Sequence, residues 1–119
     1  MSRCAKLGKS GEALAERYLL GLGYRLLHRS YRTRLGEIDL VMKDGETVVF
    51  VEVKTRSAVG GFGKPEEAVD ARKRLRISRA AASFLQRAGL QDALVRFDVV
   101  TVLGAEIRHI PDAFGASKI

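Results

Sequence analysis

Hydrophobic and polar positions recur with readable periods along most of the chain. Between Ser10 and Leu22, the residues Leu14, Ala15, Tyr18, Leu19 and Leu22 fall on one stripe of a helix, and Gly21 and Gly23 mark its end. YRLLHRSY at 24–31 suits a first strand, and 36–42 and 47–55 suit a second and third. Lys43-Asp44-Gly45-Glu46 separates the last two. Asp-Gly accepts the positive φ of a two-residue turn, so these strands are expected to form an antiparallel hairpin. Pro65-Glu66-Glu67 opens a second helix running to about Ala88, with Gly89 closing it. RFDVVTV at 96–102 and AEIRHI at 105–110 supply two more strands. The order α-β-β-β-α-β-β predicts an α/β fold: one domain over 1–119, with a mixed central sheet flanked by helices.

The hairpin carries charge where its pattern is most apolar. With Asp44-Gly45 as the turn, opposed residues have numbers summing to 89, so Glu37 faces Glu52 and Asp39 faces Phe50. Alternation adds Lys54 to that face, while Ile38, Leu40, Met42, Val49, Val51 and Val53 make the other face apolar. Two carboxylates about 6 Å apart repel by roughly 3 kcal/mol at an effective dielectric of 20. One lysine does not offset three acids. A divalent cation would, and hard oxygen donors favour Mg2+ or Mn2+ over zinc. On the first helix Glu12 falls only ~20° from Leu19, at the margin of the buried stripe, where it can add a ligand; Glu16 lies further toward solvent. The plainer alternatives are a salt-bridge ladder for Glu52 and Lys54, a strand-end cap or a partner of Arg34 for Asp39, and an ordinary first-turn acid for Glu12.

Net charge sharpens this picture. The 119 residues hold 21 Lys and Arg against 14 Asp and Glu, a balance of +7 that favours a polyanionic partner, nucleic acid before membrane. On a helical wheel Arg72, Lys73, Arg76, Arg79 and Arg87 form a cationic arc opposite an apolar stripe of Ala71, Leu75, Ser78, Ala82 and Leu85. Arg29, Arg32, Arg34 and Arg56 flank the charged ends of the strands, where phosphates would approach, and a GGFG-Lys64 loop follows directly. Arg74, inside the apolar stripe, is expected to pair with a buried acid such as Asp98, and His28 and His109 to be structural. Cys4 is the only cysteine, which excludes an internal disulfide and a paired-thiol zinc site. No stretch approaches the roughly 18 apolar residues of a membrane span, and a cytoplasmic protein is expected. Ser10, Ser30 and Cys4 lack a base and orienter for nucleophilic hydrolysis.

An Asp near the end of one strand followed by Glu-x-Lys on the next, here Asp39 and "EVK" at 52–54, resembles the PD-(D/E)xK nuclease superfamily. Glu12 on a preceding helix is similar to its archaeal Holliday-junction resolvase branch. "GEIDLV", "FVEVKTR", "AVDARKRLRISRAA" and "RFDVV" together resemble the YraN-type family of bacterial proteins over most of the chain. Ile38 stands where the superfamily label has proline. The resemblance implies a restriction-endonuclease-like core and a metal held by Asp39, Glu52, the backbone carbonyl of Val53 and Glu12, directly or through water. It implies that Lys54 orients or deprotonates the attacking water. Arg32, Arg34, Arg56, Arg72, Lys73, Arg76 and Arg79 would then hold the nucleic acid, DNA before RNA. By analogy with the resolvases, a homodimer would suit paired incisions. The alternative is a non-catalytic nucleic-acid-binding or assembly module on the same fold.

Overall fold

A computed structural model describes residues 3–56 and 70–115, with side chains from residue 11 onward. The elements are α1 (Arg3–Gly21), β1 (Arg25–Arg32), β2 (Glu37–Asp44), β3 (Thr47–Arg56), α2 (Ala71–Ala88), β4 (Leu94–Leu103) and β5 (Glu106–Phe114). The strands lie in sequence order, β1-β2-β3-β4-β5, in one mixed sheet: β3 and β4 run parallel and every other neighbour pair is antiparallel. The parallel step is the one that α2 crosses over, as a parallel connection requires. This is the predicted mixed sheet flanked by helices, compatible with a restriction-endonuclease-like core. The expectations for Pro65-Glu66-Glu67 and the GGFG-Lys64 loop fall outside the described residues.

Each face of the sheet has its own core, with β3 central to both. Ala15 and Leu19 of α1 pack with Tyr24, Leu40, Met42, Val49, Val51, Val100 and Val102. On the opposite face Ile77, Ala80, Ala81 and Phe84 of α2 pack with Tyr31, Ile38, Val41, Val48, Phe50, Phe97, Val99 and Phe114. The buried stripe of α2 is therefore turned by about one residue from the expected one: Ala71 and Ala82 are exposed, and Ile77, Ala81 and Phe84 face the sheet. The helix starts at its own cap. Asp70 is extended and its carboxylate accepts from the Lys73 N–H at 2.9 Å, satisfying a first-turn donor.

The hairpin register also differs from expectation. Asp44 pairs with Thr47 and Leu40 with Val51, so the turn residues are Gly45 and Glu46, with left-handed Gly45 (φ 60°) first. Only the first turn residue needs positive φ in this form of hairpin, which leaves Asp44 in the strand. The shift of two moves Glu37 away from Glu52 and brings Asp39 to the level of Glu52.

A second irregularity sits at the same level. Arg29 pairs with Leu40 and Tyr31 with Ile38, yet Leu40 belongs to the α1 core while Ile38 and Tyr31 belong to the α2 core. Both strands thus reverse their alternation between these pairs, at Ser30 on β1, which is left-handed (φ 50°), and at Asp39 on β2. Ile38 consequently leaves the face it was expected to share with Leu40 and Met42.

Candidate active site

Where β2 peels away from β3, the last paired residues are Leu40 and Val51. Beyond them the Val53 N–H donates to Asp39 Oδ2 at 2.7 Å, so a side chain takes the place of the missing strand. Asp39 is held in the plane of the sheet and is reachable from both faces. From α1, Glu12 hydrogen-bonds it. From the α2 face, Glu52 lies within electrostatic reach and is only 9% exposed.

Two glycines bring the flanking elements this close. A Cβ on Gly11 would clash with Thr55 Oγ1, so α1 lies directly on β3 one residue before Glu12. A Cβ on Gly36 would meet the Arg76 carbonyl oxygen at 2.6 Å, so the β1–β2 loop lies on α2. That loop is braced by Thr33, whose Oγ1 accepts from the N–H groups of Leu35 and Gly36.

The acids are not balanced. Burial, followed by the charge of Asp39, pushes the carboxyls of Glu12 and Glu52 up to about 7 each. Asp39 is also raised, by burial, against the Val53 and Glu12 hydrogen bonds that favour its ionised form. The cations respond in kind. Lys73 Nζ lies 2.7 Å from Glu52 Oε1, and this pairing overrides burial and raises the lysine. Lys54, which neighbours Lys73, is lowered by burial and by that like charge. Glu16 is excluded from the cluster, since Arg29 binds both of its carboxylate oxygens at 2.6 and 2.9 Å.

Beside the acids opens a cleft of about 690 Å³. Asp39, Glu52, Glu37 and Asp70 line it with Arg32, Arg34, Arg72, Lys73 and Arg76. A second cleft continues from it past Arg32, Arg34 and Leu35 to Arg87. Of the expected cationic residues, Arg29, Arg56 and Arg79 line neither; Arg56 is half-buried, and its charge acts on Lys54. Glu37 turns to Arg32, 3.2 Å away at the rim. Lys73 differs most from expectation: it belongs to the acid cluster and not to the outer arc. The signal for this is Asp70, which as N-cap fixes Lys73 at the third helical position, one turn before Ile77.

Asp98, another buried acid, lies on the α1 side of β4. Arg96 Nε and His109 Nε2 lie 2.9 and 2.7 Å from its carboxylate, and the Asp112 N–H donates to it at 3.0 Å. Arg74 does not pair with it as expected, because α2 covers the other face; its guanidinium lies over the Phe114 ring, 5.4 Å from the centroid. His109 has the structural place expected of it.

The donor chemistry of Glu12, Asp39 and Glu52 fits a hard divalent ion: three carboxylates, two of them in the cleft, each raised first by burial. The cage itself is open, for among the described residues no three Asp, Glu, His or Cys side chains are drawn into a ligating group. They stand instead as one acid pair, Glu12 with Asp39, and one ion pair, Glu52 with Lys73. Of Val53, the structure engages the N–H.

The same chain segments are shared with other proteins. A relative from Geotalea daltonii is 47% identical over 113 residues, covering 91% of this chain and 88% of its own length. One from Moorella thermoacetica is 54% identical over 95 residues, 80% of this chain and 78% of its own length. One from Alkaliphilus oremlandii is 48% identical over 115 residues, 92% and 97% respectively. All three carry the name UPF0102 protein. The sequence pattern of that family matches residues 11–102, from the glycine that seats α1 to the end of β4, and the chain belongs to the family described as Uncharacterised protein family UPF0102.

Proposed function

We propose that this protein is a Mg2+- or Mn2+-dependent nuclease that hydrolyses phosphodiester bonds of branched or otherwise structured DNA, a chemistry suited to repair or recombination. One observation carries the reading: Asp39 stands between Glu12 of α1 and Glu52 of β3, and Asp39 and Glu52 line a cleft whose rim is arginine. Asp39, Glu52, the Val53 carbonyl and Glu12 would hold the ion. When bound, a divalent ion supplies a water of lowered pKa and a counter-charge for the phosphate oxygens. Lys54, lowered by burial and close to Glu52, would orient the attacking water and offset charge on the phosphate. Arg32, Arg34, Arg72 and Arg76 seat the phosphates on either side. Arg56 and Arg79 line neither of these two clefts.

The second reading, a nucleic-acid-binding or assembly module without catalysis, draws on the Lys73–Glu52 ion pair, which closes one of the ligands. Cleavage assays separate the two. Linear, flapped, four-way and single-stranded DNA, with structured RNA alongside, are incubated with Mg2+ or Mn2+ and wild type, Asp39→Asn or Lys54→Ala. The nuclease reading predicts ion-dependent cutting of at least one substrate, reduced on the order of a hundredfold or more by either substitution. Cutting that survives both substitutions removes the site; tight binding without cutting under either ion supports the module.

A further inference from the structure

Lys73 occupies an unfavourable position for a lysine. It is the third residue of α2, where the helix dipole favours an acid, and its N–H is already satisfied by the Asp70 cap. Its ammonium nevertheless reaches 2.7 Å from a carboxylate whose side chain is only 10% exposed, while about a third of the lysine remains open to the cleft. Lys54 is its second neighbour. An ordinary surface ion pair has no need of a buried acid and a helix N-terminus together. Lys73 sits where a cation must sit if Glu52 is to be ionised, on a flexible stem that also borders Arg72 and Arg76.

We infer that Lys73 is a positioning residue: its ammonium fills the cation place at Glu52 in the resting protein and moves to a substrate phosphate, leaving Glu52 free to hold the divalent ion. The inference rests on the reading of Glu12, Asp39 and Glu52 as the cation site. Its consequence is linkage. Whatever draws Lys73 from Glu52 strengthens ion binding, and ion binding releases Lys73 to the phosphate in equal measure. The open cage is thus the resting arrangement of a site that assembles with its substrate.

The test is Mn2+ binding in the absence of DNA, followed by the electron paramagnetic resonance signal of the free ion. Lys73→Met and Lys73→Gln are expected to bind Mn2+ about tenfold more tightly than wild type, and Lys73→Arg, which keeps the cation, to stay near wild type. Melting curves establish that each variant is folded, and either neutral variant suffices. Fluorescence anisotropy with phosphorothioate DNA in Mn2+ should show the neutral variants binding DNA more weakly than wild type. A structural lysine would not tighten an ion while loosening DNA. Mn2+ affinity that is unchanged or weaker in the folded neutral variants overturns the role of Lys73, provided Asp39→Asn still abolishes binding. If wild type binds no Mn2+, or Asp39→Asn binds it as well as wild type, the cation site fails and the inference with it.

Discussion

Two clusters of buried charge lie on this one sheet, and they are balanced in opposite ways. Asp98 on β4 is enclosed by Arg96, His109 and the Asp112 N–H, and Arg96 reaches on to Asp44 at 3.0 Å and to the Tyr24 hydroxyl. Burial alone would raise Asp98, yet those partners hold its carboxyl below the usual range. Glu12 on α1, Asp39 on β2 and Glu52 on β3 are all raised. A buried charge whose every lone pair is answered belongs to the framework, whereas charges left short of partners in a cleft mark chemistry. The difference is also one of place: the Asp98 group ties β4 to the irregular end of β5, where Asp112 is left-handed (φ 53°), and the acid cluster lies where β2 leaves β3.

The contrast is broken most directly by neutralising one acid in each group. Asp98→Asn leaves Arg96 and His109 without their anion and should cost about 3 kcal/mol in denaturant unfolding. Glu52→Gln takes the anion from Lys73 alone, which is a third exposed and can turn to solvent, and should cost about 1 kcal/mol or less. Equal losses would show that both groups are framework.

Protonation gives the next largest difference, with opposite signs. Glu12 and Glu52 titrate near 7 in the fold against 4.5 ordinarily, so the folded chain holds more protons between those values. Their contribution to stability therefore falls as pH rises from about 4.5 to about 7. Asp98, lowered in the fold, contributes stability that is fully present above its ordinary value of 3.8 and lost as pH falls through its folded value. Melting temperatures from pH 5 to 8 should decline in wild type and decline less in a Glu12→Gln, Glu52→Gln double variant. Parallel curves would remove the claim of imbalance.

The smallest effect concerns the rim. Replacing Arg72 and Arg76 with Gln should flatten the slope of log DNA affinity against log salt by about 1 for each phosphate no longer neutralised, whereas replacing Arg79, which lines neither cleft, should leave it unchanged.

Much of this arrangement is legible in the chain. Asp-Gly places the hairpin, the apolar runs place the strands, and Asp39, Glu52 and Lys54 stand out as charges on a buried pair. The register is not legible, because Asp-Gly marks a turn without fixing which two residues are central; Gly45 takes the first place, and Asp44 stays in the strand to bind Arg96. The buried face of α2 is displaced from the face its wheel predicts because Ile77, Ala81 and Phe84 make a second apolar stripe about one residue away, and periodicity alone does not choose between the two. The reversal at Ser30 and Asp39 has no sequence signature, since serine is compatible with many backbone conformations and the reversal arises from two strands turning together. It is nevertheless what lets one aspartate face Glu12 and Glu52 at once.

The central claim, that these acids await a divalent ion, is tested by the melting temperature at pH 8 with and without Mn2+. At a hundred times the dissociation constant the ion should stabilise wild type by about 2.7 kcal/mol, roughly 10 °C for a domain of this size, and should leave Asp39→Asn almost unmoved. An equal rise in both proteins, or none in either, would contradict the account.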